Sequence, residues 1–319
     1  MAINERLPLP SPPLPLGTRG TGAAAPATPP EALGWTRRAG RSPLGDSLRR
    51  LLRDRAAMAG LAIIVVMALL AICAPLIARR SPVEQELVKR LRPPSIEYPF
   101  GTDNLGRDVF ARVLYGGRIS LRVGFVSVAL GVVAGALLGL LAGYGGRLAD
   151  SVISRLMEVL LAFPSTLLAI AIVAARGPGI ENTMAAIAVI SVPVYARLMR
   201  ASVLALKERD FVVAARCTGA SGARILFRHI LPNGLSPLIV QATLGIATAI
   251  IEAAALGFLG LGAQPPTPEW GLMLTDARNF LLNAPWAMIF PGLAIMLTVL
   301  GFNLFGDGLR DALDPQLRQ

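Results

Sequence analysis

The chain has 319 residues, 54% of them hydrophobic, and a mean hydropathy of +0.58, which excludes a soluble globular domain and predicts a protein embedded largely in a membrane. A net charge of +11 could suit a nucleic-acid-binding protein, but the arginines flank apolar segments, which argues against that class. One histidine, His229, and two separated cysteines, Cys73 and Cys217, offer neither a metal-ligand set nor a disulfide framework.

Residues 1–45 form a proline-rich segment that also contains Gly, Ala and Thr. This composition favours extended conformers and buries little apolar surface, so we predict a disordered tail. A cleaved signal peptide is not indicated, because the first apolar segment begins only near Met58 and has full spanning length.

Six apolar segments are each long enough to cross a hydrocarbon core of roughly 30 Å, which takes about 20 helical residues. We therefore predict an all-α, polytopic membrane protein with six transmembrane helices. Residues 46–119 would hold the first helix and an extracytoplasmic loop, and residues 120–319 a core of five helices. The predicted spans are 58–78, 121–142, 155–175, 183–203, 236–260 and 285–305.

The arginine distribution predicts the orientation of these spans. Seven arginines lie between residues 37 and 55, directly before the first span, which places the amino terminus in the cytoplasm. Six spans then place the carboxyl terminus on the same side. The predicted extracytoplasmic loop, residues 79–120, is also rich in arginine, but longer loops obey the charge rule less strictly.

The segment FGTDNLGRDVFAR at residues 100–112 combines turn-forming Asp and Gly with charged residues. We predict that Arg107, Asp108 and Arg112 form local ion pairs that order this loop on the membrane surface. Farther along the chain, Trp270 and Trp286 flank the outer ends of the last two spans, where indoles commonly anchor at the membrane interface.

Glycine recurs at every fourth position of the second predicted span, which places these residues on one helix face and permits close approach of another helix. This packing seam could be an interface with a partner subunit or with the transport pathway, or it could serve tight packing within the chain. Its residues are Gly131, Gly135, Gly139 and Gly143.

The predicted cytoplasmic loop, residues 203–235, contains the charged segment DFVVAARCTGASGARILFRHILP at residues 210–232. Its pattern suits a short helix, a tight turn at a glycine, and a second helix that enters the membrane with a proline in its first turn. Such a segment between two apolar spans predicts a docking element for a partner protein, and the alternative is an ordinary amphipathic loop. The residues of the predicted docking element are Asp210, Ala214, Ala215, Arg216, Gly219, Ile230, Leu231 and Pro232.

Glu252 lies within the outer half of the fifth predicted span. An isolated carboxylate at such depth costs on the order of 2.5–3.5 kcal/mol on insertion scales, so it should face protein or a water-filled cavity. We hypothesise that Glu252 lines a transport pathway and meets a cationic group of the substrate, such as a peptide ammonium.

Several of these segments carry a family resemblance. Residues 210–232 resemble the cytoplasmic EAA loop of importer-type ABC transporter permeases, with Val213 where that motif begins with glutamate. Residues 100–112 resemble the FGTDxxGRD signature of C-type permeases in dipeptide, oligopeptide and nickel importers. Residues 255–273 and 302–315 are similar to the same family, particularly its dipeptide branch.

The resemblance implies the type I permease fold of ABC importers and a subunit without catalytic residues of its own. It implies one half of a heterodimeric channel in the bacterial inner membrane, paired with a B-type permease. Two cytoplasmic ATPase subunits would bind ATP and Mg²⁺, and an extracytoplasmic binding protein would deliver peptide. Dipeptides are the implied cargo, with oligopeptides or nickel as alternatives, and Ala214, Ala215 and Gly219 fall at the motif positions of the coupling loop.

The sequence lacks the motifs that an ATPase of the P-loop type, a zinc protease or a serine hydrolase would need. A P-loop needs Lys followed by Ser or Thr, whereas the only lysines, Lys89 and Lys207, precede Arg90 and Glu208. Neither a His-Glu-x-x-His nor a Gly-x-Ser-x-Gly motif is present. The remaining alternative of a different class is a passive channel or a scaffold, which would not co-purify with a nucleotide-binding protein.

Overall fold

The computed structural model describes residues 43–313, and every regular element in this part of the chain is helical. The predicted tail, residues 1–45, lies outside the described residues except for its last three, where the first helix begins. The helices in chain order are α1 (Pro43–Arg53), α2 (Arg55–Ile72), α3 (Ala74–Ile77), α4 (Val109–Tyr144), α5 (Arg147–Leu161), α6 (Ser165–Arg176), α7 (Ile180–Leu206), α8 (Asp210–Cys217), α9 (Gly222–Ile225), α10 (Leu231–Phe258), α11 (Trp270–Ala277) and α12 (Trp286–Leu313).

Five helical segments of the described chain are long and apolar enough to cross a membrane on their own. They are α2, α4, α7, the continuous run Gly222–Phe258 that ends in α10, and α12. A sixth crossing requires α5 and α6 together, and these two helices meet at an angle of 90°. The all-α fold with up to six spans is therefore confirmed.

The span predicted over residues 155–175 consists of two helices. The helical run begins earlier, at Arg147, and breaks between Leu161 and Ser165. Pro164 lies in this break with an extended backbone, φ −55° and ψ 128°. Because proline lacks an N–H and disfavours helical geometry in the residue before it, the chain turns here instead of continuing α5.

The helix α4 is longer than the span predicted within it. Its 36 residues measure about 54 Å at 1.5 Å per residue, whereas the hydrocarbon core is only about 30 Å thick. The helix is therefore longer than one crossing requires. We call the end at which it begins, beside residues 79–108, the outer end of the bundle. The predicted boundary after residue 119 lies inside this helix.

The glycine seam of α4 packs against α7 of the same chain. A Cβ atom at Gly135 would lie 2.6 Å from the Cβ of Tyr195, and one at Gly143 would lie 2.7 Å from the Cβ of Val203. All four seam glycines are buried. The seam is therefore occupied within the subunit, and α4 and α7 form the most closely packed pair of spans.

Small residues also join the other spans. A Cβ at Gly60 of α2 would lie 2.7 Å from the carbonyl oxygen of Gly301 of α12. A Cβ at Gly124 of α4 would lie 2.8 Å from a side-chain carbon of Ile250 of α10. Because a bilayer supplies no hydrophobic force between spans, such close packing at small residues contributes to helix association.

We expect Gly135→Ala to weaken the packing of α4 on α7, because the new methyl group would meet Tyr195 and the backbone of Val192. Overpacking of this kind costs about 1–3 kcal/mol of unfolding free energy. The matched control is Gly292→Ala, since a Cβ at that glycine of α12 would meet no atom within 4 Å. Both variants gain the same helix propensity, so the apparent melting temperature in detergent should fall only for Gly135→Ala, and equal melting temperatures would contradict the account.

Candidate coupling loop and outer cluster

The segment between α7 and α10 is a helix, a turn and a second helix, as the sequence predicts. The helix α8 is followed by a turn at residues 218–221, and α9 then passes through one π-helical turn, Leu226–Ile230, into α10. Pro232 is the second residue of α10 and directly follows the π-helical turn. Because the run from Gly222 to Phe258 is continuous, a force on the loop would reach the span directly.

Three apolar side chains fix this loop to the bundle. Val212 of α8, Ile225 of α9 and Ile230 are all buried and belong to the main hydrophobic core. Ile230 was predicted as part of the docking element, but its side chain lies inside the core, so it can act only by holding the loop in place. Val212 and Ile225 were not singled out by the sequence, because each has an apolar neighbour and the local pattern does not tell which of the side chains is buried: Val212 lies between Phe211 and Val213, and Ile225 is followed by Leu226.

The turn requires Gly219. Its φ of +79° lies in the left-handed region, which costs side chains with a Cβ about 1–2 kcal/mol. The amide of Ala220 donates to the carbonyl of Ala215 at 3.0 Å, which closes the end of α8. The hydroxyl of Ser221 then accepts from the amide of Arg224 at 3.4 Å and caps α9.

One side of the loop is exposed and carries both apolar and charged side chains. Phe211 and Val213 of α8 are exposed over 42% and 45% of their surfaces, and Phe227 over 57%. Of the predicted docking residues, Ala215 and Leu231 are half-buried. The exposed ones are Asp210, Ala214, Arg216, Gly219 and Pro232.

A buried ion-pair cluster at the outer end joins two distant parts of the chain. The Arg107 guanidinium, 2% exposed, contacts the carboxylate of Asp103 at 2.5 Å and that of Asp276 at 2.9 Å. Arg112, also buried, lies 3.6 Å and 3.7 Å from the same two carboxylates. Removing one partner from such a cluster leaves an uncompensated buried charge, which costs about 3–5 kcal/mol.

This cluster corrects the predicted local pairing of Arg107, Asp108 and Arg112. Asp108 caps α4 by accepting from the amide of Phe110 at 2.9 Å, and forms no salt bridge within the described residues. The second carboxylate comes instead from Asp276, in α11 and 169 positions away from Arg107. Burial raises the pKa of the Asp108 carboxyl above its usual range, and the capping amide partly offsets this effect.

The predicted interfacial anchoring of Trp270 is wrong. This side chain is 1% exposed, and its indole N–H donates to the carbonyl of Val113 at 3.0 Å. The neighbouring Glu269 is buried too, and its carboxylate accepts from the amides of Gly271 and Leu272 and from the hydroxyl of Ser120. Burial raises the pKa of the Glu269 carboxyl, and these donors partly offset the rise. Together the two residues attach α11 to α4.

Trp286 is half-buried, and its indole N–H donates to the carbonyl of Thr102 at 3.1 Å. It therefore connects the start of α12 to the loop that precedes α4. The indole also lies against Gly101, whose φ is +73° and where a Cβ would lie 2.6 Å from its Nε1. Trp270 thus joins α11 to α4, and Trp286 joins α12 to the loop before α4. In both cases the buried or half-buried indole N–H has a backbone carbonyl as its partner.

Glu252 lies on α10 and is half-buried. Within residues 43–313 no arginine, lysine or histidine forms a salt bridge with its carboxylate. Over the same residues, no group of three His, Cys, Asp or Glu side chains is placed to hold a metal ion.

Two family comparisons match most of the chain. Residues 135–319 match the family described as "Binding-protein-dependent transport system inner membrane component", and residues 42–94 match the "N-terminal TM domain of oligopeptide transport permease C". The chain belongs to the binding-protein-dependent transport permeases. The permease is thus a multi-pass protein of the inner membrane, and its resemblance to ABC importer permeases is confirmed.

Curated relatives cover nearly all of the permease. The dipeptide transport system permease protein DppC of Alkalihalophilus pseudofirmus is 54% identical, over 87% of this chain and 91% of its own. The di/tripeptide transport system permease protein DppC of Pseudomonas aeruginosa is 49% identical over 87% of this chain and 93% of its own. The glutathione transport system permease protein GsiD of Pectobacterium atrosepticum is 48% identical over the same shares.

The fold of the permease also has a solved counterpart. The MetNI methionine ABC transporter, solved in inward-facing conformations, contains a chain that aligns with a TM-score of 0.52 at 20% identity. The alignment covers 64% of the permease and 97% of that chain. At this identity the likeness concerns the fold alone, and it confirms the predicted permease fold.

Proposed function

We propose that this permease is the C-type transmembrane subunit of an ATP-driven importer for dipeptides. Its partners would be a B-type permease, two ATPase subunits and an extracytoplasmic peptide-binding protein. The observation that carries the proposal is the coupling loop, which is an exposed helix–turn–helix anchored by buried residues and continuous with a membrane span. Dipeptides are favoured as cargo by the names of the relatives that are 47–54% identical to this chain.

The mechanism follows from the way the loop is built. ATP binding would close the two ATPase subunits and so move the grooves that hold the exposed side of α8 and α9. Because Val212 and Ile225 lock these helices to the core, the movement passes to α7 and α10 instead of being lost in a flexible loop. The two spans tilt and open the pathway toward the outer end, and hydrolysis resets them. The ATP and Mg²⁺ would be held by the ATPase subunits, and the loop and both termini would face the cytoplasm.

Gly219 gives the sharpest test of this coupling. Gly219→Ala and Gly219→Trp introduce the same backbone strain, because both place a Cβ at a φ of +79°, but only Trp adds bulk to the exposed surface. Coupling free energies between sites are about 1–3 kcal/mol, or 5–150-fold. We therefore expect the peptide-stimulated ATPase activity of Gly219→Trp to be about 5–150-fold lower than that of Gly219→Ala.

The matched control is Gly260→Trp, since Gly260 has a φ of +77° and open space around it but follows the opposite end of α10 from the coupling loop. Binding of the ATPase subunits and ATP hydrolysis should both be retained in this variant. Normal peptide-stimulated hydrolysis and uptake in Gly219→Trp would overturn the proposed role of the loop.

Glu252 tests the pathway and the cargo together. Its carboxylate is half-buried without a salt-bridge partner in the described chain, so a cationic substrate group could supply the missing charge. We expect Glu252→Gln to reduce dipeptide uptake about tenfold, the equivalent of 1.4 kcal/mol, and to have a smaller effect on amino-terminally acetylated dipeptides. Glu181→Gln, at an exposed glutamate in the first turn of α7, is the control.

The readout is uptake of labelled solutes by cells that lack the native gene and carry each variant at equal membrane abundance. A dipeptide importer predicts that deletion abolishes dipeptide uptake and leaves nickel uptake unchanged. If deletion abolished nickel uptake but not dipeptide uptake, the cargo would be nickel and not dipeptides. Equal dipeptide uptake by wild type and Glu252→Gln would remove Glu252 from the pathway and leave the cargo assignment intact.

A further inference from the structure

The helix α1 presents three different faces. Residues four positions apart share a face, and successive residues are rotated by about 100° around the helix. Ser47 and Leu51 form the first face, which is buried or half-buried. Leu48 and Leu52 form the second, and both are exposed. The third consists of two exposed arginines, Arg49 and Arg53.

The buried face holds α1 against the membrane bundle. The helix packs on α12 and α2, which are themselves packed against each other. Only Asp54 separates α1 from the start of α2. Its carboxylate caps α2 by accepting from the amides of Ala56 and Ala57, and its backbone is extended with a ψ of 112°. The helical run is therefore interrupted beside the membrane boundary, and α1 is a separate short helix there.

The leucine face is exposed within residues 43–313. Leu48 and Leu52 are exposed over 56% and 54% of their surfaces. A single exposed leucine needs no explanation, but two adjacent ones beside a membrane span and a basic face form the pattern of an interfacial helix. The coupling loop connects α7 to α10, whereas α1 packs on α2 and α12.

The charge of the segment identifies the kind of surface that complements it. Between residues 43 and 57 the sequence has four arginines and two acids, Asp46 and Asp54, and the carboxylate of Asp54 is engaged in capping α2. Arginines next to a membrane span are attracted to anionic phospholipids at the cytoplasmic surface. The leucine face and the arginine face are about 100° apart, which allows the first to enter the acyl boundary while the second reaches the headgroups.

We propose that α1 is an anionic-lipid-binding helix that lies in the headgroup region of the bilayer. Leu48 and Leu52 insert into the boundary of the acyl chains, and Arg49 and Arg53 bind lipid phosphates. In the predicted orientation the leaflet is the cytoplasmic one. The helix would then fix the first span at the membrane surface, independently of the proposed transport function.

Spin labels can locate the faces in the full-length protein. Cysteines are introduced singly by Leu48→Cys, Leu52→Cys, Arg49→Cys and Arg53→Cys in a background where Cys73 and Cys217 are alanine. The labelled proteins are reconstituted in phosphatidylcholine vesicles with or without about 30% phosphatidylglycerol, which supplies the negative surface potential. Collision rates with oxygen, which partitions into lipid, and with a water-soluble nickel chelate report the depth of each label.

With anionic lipid, the ratio of the oxygen collision rate to the nickel collision rate should be at least severalfold higher for labels at 48 and 52 than for labels at 49 and 53. The contrast should weaken in pure phosphatidylcholine and at about 1 M salt, where the screening length is only about 3 Å. In the Leu52→Cys protein, Arg49→Gln with Arg53→Gln should remove the dependence on anionic lipid. The control, Arg90→Gln with Arg92→Gln, removes two exposed arginines of the outer loop and should leave the dependence unchanged.

Three results would overturn the proposal. Equal nickel accessibility at all four positions with anionic lipid would place α1 in water. Protection of the labels at 48 and 52 from both reagents would mean that a protein surface covers the leucine face. If the labels at 48 and 52 favoured oxygen equally with and without anionic lipid and at both salt concentrations, the helix would insert without recognising anionic lipid.

Discussion

The close approach of α4 to α7 is the constraint on which the rest of the bundle depends. Glycine at every fourth position lets the two backbones meet, and at Gly135 even one methyl group would reach Tyr195. Since lipid offers no hydrophobic force between helices, contact of this kind is what holds the spans together. α7 is thereby fixed along most of its length, and the coupling loop that follows it starts from a rigid base.

Both ends of this rigid pair are tied to other elements, by different chemistry at each end. At the loop end, Val212 and Ile225 use apolar burial, which leaves the opposite side of the loop exposed for a partner. At the outer end, Arg107 uses buried ion pairs to join the start of α4 to α11. Trp270 adds an indole hydrogen bond to the same joint. A movement of the loop can therefore be transmitted to the outer end through α7 and α4, because both helices are tightly packed.

Local signals predicted much of this arrangement. The spacing of Gly131 to Gly143, the positive φ of Gly219 and the placement of Pro232 each depend on residues within one or two turns, so the sequence indicates them directly. The pairing of Arg107 with Asp276 could not be predicted, because nothing local specifies a partner 169 positions away. Trp270 was misassigned for a related reason, since an indole at the end of a span suits a membrane interface and a protein interior equally well. The bend between α5 and α6 occurs at Pro164, whereas the prolines inside α7, α10 and α12 leave those helices unbroken; they are Pro193, Pro237 and Pro291.

The central claim is that this subunit moves solute only when a separate ATPase drives its coupling loop. The most direct measurement is uptake of a labelled dipeptide into vesicles that contain the purified complex, the binding protein and ATP. The account predicts that replacing the ATPase subunits with hydrolysis-deficient versions lowers uptake to the level of protein-free vesicles. Uptake at an undiminished rate with those inactive subunits, or by the permease chain alone, would contradict it.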